Sequence, residues 1–162
     1  MRIIRALALL LAVIIAPMAP EQSALAEEPQ PNSALVVIVN IANPVKQLSA
    51  GELEKIYLGK RGFWEWGKPI KMIDLIEENI NEDKSARAIF SVEYLDKSLP
   101  SLKSYWIRAI FSGRGQPPLV FGKSGDVLNY VSDNVEAIGY IRKKDFTPGK
   151  IKRMEIITEH GP

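Results

Sequence analysis

The run LVVIV at residues 35–39 constrains this chain more than any other stretch. It has five apolar residues, four of them β-branched. It lacks the polar alternation of a half-exposed strand and is too short for a buried helix. It reads as a strand covered on both faces. A fold containing it must supply a layer of structure on each side of a sheet.

The rest of the chain supplies that cover. Residues 40–48 turn at Asn43-Pro44, and Ser49 then stands three residues before Glu52 in SAGELEKIYLG. That spacing is a capping box, and it opens a helix on which Leu53, Ile56 and Tyr57 share one face and which Gly59 ends. Residues 59–69, GKRGFWEWGKP, form a glycine-punctuated loop, and 70–76 resume strand character with alternation through Ile70, Met72 and Asp74. Residues 77–84 are acidic and polar, with Glu77-Glu78 and Glu82-Asp83 reading as a solvated loop rather than a cation site. Helices follow at 85–95 and 100–112, the second capped by Ser98 or Asp96 and stopped by Gly113. A short helix at 126–131, a strand at 137–141 and a last strand within 151–157 complete an α/β domain.

Ahead of this domain, Arg2 and Arg5, the apolar run 7–16 and Ala24-Leu25-Ala26 have the form of a cleaved export signal over residues 1–26. Its removal leaves 136 of the 162 residues, with a flexible lead-in at 27–34 and one domain at 35–158. The mature chain is expected in the periplasm. It would carry 19 Lys and Arg against 18 Asp and Glu without a basic run, so no electrostatic case exists for nucleic acid. Cysteine is absent, which excludes disulfides, thiol nucleophiles and zinc–thiolate sites. His160, the only histidine, sits two residues from the end, a poor place for a triad or a metal ligand. No nucleophile is matched with a base, so neither an enzyme, a metal nor a cofactor is expected.

Anion recognition suits the residues that are present. A tetrahedral oxyanion can be held by N–H groups at a helix N-terminus, a hydroxyl and a guanidinium. Lys84-Ser85-Ala86-Arg87 stands where the helix at 85–95 should begin. Ser112-Gly113-Arg114-Gly115 follows a helix end instead, where Arg114 can complement the dipole while Gly113 forms a left-handed cap. A ligand-binding role for the Arg114 side chain stays open. Phe63, Trp64 and Trp66 are either a stacking platform for a ligand or a partner, or a loop folded back over the core.

Taken in order, NPVKQLSAGELEKIYLGK, GKPI, SARAIF, YWIRAIFSGRGQPP and VEAIGYI resemble the substrate-binding proteins of phosphate ABC transporters, and more closely their short, single-lobe periplasmic members. The resemblance implies one lobe of the type II periplasmic-binding-protein fold, a mixed sheet flanked by helices. In that family phosphate is captured by helix N-termini, hydroxyls and an arginine–aspartate pair. Arg87 matches the arginine that follows the family's Ser-Gly-Thr, with Lys84, Ser85 and Ala86 in the three preceding positions. The implied partners are phosphate or a similar oxyanion and an ABC permease or another envelope protein, with a homodimer as one way to supply a second wall. The alternative is a lobe reused as an envelope protein-interaction module without a small ligand.

Overall fold

The computed structural model describes residues 33–78 and 80–158. The expected signal at 1–26, residues 27–32 of the lead-in and His160 lie outside the described residues. In chain order the elements are β1 (Leu35–Asn40), β2 (Gln47–Ser49), α1 (Ala50–Tyr57), β3 (Lys71–Leu75), α2 (Ala86–Leu95), α3 (Leu99–Phe111), β4 (Leu119–Phe121), α4 (Ser124–Asp133), β5 (Ala137–Arg142), β6 (Ile151–Arg153) and β7 (Glu155–Ile157).

Five strands form one sheet in the order β4-β3-β5-β1-β6. β1 runs antiparallel to both β5 and β6, while β3 is parallel to β4 and β5, so the sheet is mixed. β2 and β7 pair in parallel as a separate two-stranded sheet. In β1 the successive residues Ile38 and Val39, which point to opposite faces, are both fully buried. The two-sided burial expected of LVVIV is what the fold provides.

Helices make the two covering layers. On one face α4 lies so close to β5 that a Cβ at Gly139 would stand 2.9 Å from Val127 Cγ1 and 3.3 Å from Ile73 Cβ. On the other face Tyr57 of α1 and Phe90 of α2 meet Tyr140 of β5, with Phe90 and Tyr140 stacked at 4.0 Å between centroids. Burying rings of this size stabilises by about 1.5–3 kcal/mol each. The Tyr57 hydroxyl lies 3.1 Å from the Ile73 carbonyl and 3.2 Å from that of Ile138, pinning α1 across β3 and β5.

Local signals and structure agree at most helix ends. The α1 capping box is complete: Glu52 N–H donates to Ser49 Oγ at 3.2 Å and Ser49 N–H to Glu52 Oε2 at 2.9 Å. Gly59 (φ +67°) ends that helix, and Gly113 (φ +65°) ends α3. At the second, Gly113 N–H donates to Ile110 O and Arg114 N–H to Ala109 O, both at 3.0 Å, a full Schellman pattern. Ser98, not Asp96, caps α3; Asp96 ends α2 in the left-handed region at φ 49°.

Two expectations need correction, and one pair of alternatives is decided. β2 and β4, three residues each, were not expected, and the last strand is split at Met154 between two sheets. Trp64 is no platform for a ligand or partner: it is 2% exposed, and its Nε1 donates to Glu136 O at 2.9 Å. The loop folds back over the core there, leaving Phe63 exposed.

Candidate anion-binding site

β3 and β5 run in parallel, so their carboxyl ends reach the same edge of the sheet, the usual location of ligand sites in open α/β folds. Glu77 follows β3 there, Arg142 closes β5, and the first turn of α2 begins beside them. Ser85 is the N-cap of α2, with its Oγ accepting from Ala88 N–H at 3.1 Å and donating to Glu82 O at 2.6 Å. Ser85 and Ala86 are buried, while Lys84 ends a 3₁₀ turn at 82–84 with its side chain exposed.

The helix N-terminus already holds a carboxylate. Ala86 N–H donates to Glu77 Oε2 at 2.8 Å. Arg142 grips the same carboxylate with a two-pronged contact, Nε to Oε1 and Nη2 to Oε2, both 2.7 Å. A further bond from Arg142 Nη2 to Lys84 O, also 2.7 Å, fixes the guanidinium against the turn. The Arg142 bonds, then the Ala86 N–H, hold the Glu77 pKa below its usual range against the opposing effect of burial. The Glu77 hydrogen bonds and the nearby carboxylate charges raise that of Arg142, against burial. Glu77 is therefore no solvated loop residue. Its partner lies 65 positions away, beyond any local pattern.

One residue further into α2, Arg87 makes a different pairing. Its Nε lies 2.9 Å from Asp74 Oδ2, but off the line of a hydrogen bond, so this buried nitrogen has no bonded acceptor. Asp74 is buried in β3 and accepts from the Tyr140 hydroxyl. Burial raises the Asp74 pKa, an effect that Arg87 and Tyr140 oppose. Burial, then the Asp74 charge, pushes the Tyr140 hydroxyl far above its ordinary value. The Arg87 side chain keeps 29% of its surface exposed and makes no side-chain hydrogen bond among the described residues. An arginine–aspartate pair thus stands at the start of α2, Arg87 with Asp74.

The structure brings Lys84, Ser85, Ala86 and Arg87 together but leaves Arg114 out of that group. Arg114 follows the α3 cap, its Nε donating to Ser112 Oγ at 2.9 Å. It borders a separate groove of about 440 Å³ with Leu58, Lys60, Tyr105 and Arg108. Its placement follows from the dipole: the carbonyl end of α3 favours a guanidinium. A larger open trough of about 850 Å³ lies over β2 and Trp66, but its Ser49 and Glu52 are spent on the α1 cap. Of the residues that sequence reasoning missed, only Asp74 left a signal, a charge at the centre of the apolar strand IKMIDLI.

Two solved structures share this architecture. An ABC-type phosphate transport receptor from Vibrio cholerae aligns with a TM-score of 0.52 at 20% identity over 76% of this chain and 46% of its own. PstS from Borrelia burgdorferi aligns with a TM-score of 0.53 at 16% identity, over 76% of this chain and 47% of its own. The fold is periplasmic-binding-protein type II-like. At these identities the likeness is one of fold, and the chain spans less than half the length of either structure. No protein-family model and no curated protein sequence matches it.

Proposed function

We propose that the chain is a solute-binding module of the cell envelope, exported to the periplasm, that receives phosphate or a similar oxyanion at the N-terminus of α2. Lys84, Ser85, Ala86 and Arg87 would form the contact surface. The observation that carries this reading is the Arg87–Asp74 pair. A guanidinium is braced from behind by a buried carboxylate while its side chain makes no hydrogen bond among the described residues. Such bracing lets an arginine present parallel donors to a planar or tetrahedral anion.

The fold supports the reading, since the solved structures that share it include a phosphate transport receptor. In this reading an ABC permease or another envelope protein receives the loaded module, and no chemical step is involved. Calorimetric titration of phosphate tests it. Saturable binding in the millimolar range that Arg87→Ala abolishes is expected. No heat with phosphate or sulfate, or heat unchanged by Arg87→Ala, would remove the site.

A second reading, a lobe used for protein contact without a small ligand, is favoured by α3. Ile107, Ile110 and Phe111 are exposed on that helix, Phe111 to 88%. Clustered exposed apolar residues mark contact surfaces. Failure of an envelope extract to yield any partner sensitive to Phe111→Ser would count against this role.

A further inference from the structure

The oxyanion position at the start of α2 is not open. Two of its donors, the Ala86 N–H and the Arg142 guanidinium, are both engaged by Glu77. The ion pair is largely shielded from solvent, with side-chain exposures of 17% for Arg142 and 13% for Glu77. A carboxylate presents two oxygens in a plane, much as one edge of a phosphate does, and here it meets the partners a phosphate would need. In the first turn of α4 the Ser124 hydroxyl donates to another carboxylate, Asp145 Oδ2, at 2.6 Å. Glu77, Gly122, Ser124 and Asp145 border one hollow at this sheet edge. The chain's own carboxylates thus engage an N–H of α2 and a hydroxyl of α4.

We infer that Glu77 is an internal anion that sets the specificity of this site, occupying the oxyanion position and keeping the affinity for free phosphate low. This rests on the reading that the first turn of α2 is where an oxyanion is received. An external ligand must displace a group tethered at high effective concentration and already paired with Arg142. It must also approach the negative charge of Glu77, which repels a dianion. With Glu77 in place, Arg87 and Lys84 remain at the start of α2 to attract the ligand, with Lys123 and Lys144 nearby.

The test compares wild type, Glu77→Ala and Glu77→Gln, with Glu77→Ala/Arg142→Ala as control, by calorimetry with phosphate and with formate. Circular dichroism and thermal melting establish that each variant is folded. Glu77→Ala should bind phosphate at least about tenfold more tightly than wild type, and formate should raise its Tm by restoring the missing carboxylate. Glu77→Gln, which preserves the packing should the alanine variant unfold, should show a smaller gain of the same sign. Removing Arg142 as well should cancel the gain. Formate binding by Glu77→Ala without phosphate binding would uphold the internal anion and defeat the oxyanion reading. Micromolar phosphate binding by the wild type would do the reverse. A folded variant at position 77 that gains no affinity for either anion overturns the inference.

Discussion

Asp74, Arg87 and Tyr140 concentrate the most unusual chemistry at single residues. A charge in the middle of a strand is tolerable only when it is paired and hydrogen-bonded. Asp74 receives both services, from a guanidinium and a buried hydroxyl. Tyr140→Phe should cost about 1–3 kcal/mol in denaturant unfolding, because the ring stays stacked on Phe90 while Asp74 loses its side-chain hydroxyl donor. A smaller loss would show that Asp74 is served by something else. Glu77 permits a signed prediction in acid. Its folded pKa is depressed, so the stability it adds is complete above the unfolded value of 4.5 and lost as pH falls through the lower folded value. The unfolding midpoints of wild type and Glu77→Gln should differ at neutral pH and converge in acid.

Elements divide into those with local signals and those without. The capping box of α1 and the glycines that end α1 and α3 are specified within a few residues and could be read directly, while the α3 cap could be narrowed only to Ser98 or Asp96. β2 and β4 could not, because three-residue strands carry no periodicity and owe their form to their neighbours. The site shows the same division: Lys84 to Arg87 could be placed from the N-terminal pattern of α2, whereas the Glu77–Arg142 and Arg87–Asp74 pairs depend on strand order. Two glycines test the packing. At Gly113 an added Cβ meets open space, so Gly113→Ala should cost only the left-handed backbone penalty, about 1–2 kcal/mol. At Gly139 it would strike Val127 and Ile73, and Gly139→Ala should cost about 1–3 kcal/mol through overpacking. The first loss should persist when neighbouring side chains are shortened, whereas Val127→Ala should relieve the second.

For the whole molecule, a mixed sheet between two helical layers brings strand ends and helix starts from distant parts of the chain to one edge. Glu77, Lys84, Arg87 and Arg142 meet there although 65 positions separate the first from the last. At that edge the chain holds a carboxylate of its own, Glu77, between a helix N–H and a guanidinium. In the proposed reading, Arg87 and the first turn of α2 make the oxyanion site once Glu77 withdraws. Phosphate titrated into Glu77→Ala and Glu77→Ala/Arg87→Ala side by side separates the contribution of Arg87 from that of the helix turn. The first should bind phosphate and the second should lose that binding at least about tenfold; equal binding by both, or none by either while both remain folded, would rule the Arg87 site out.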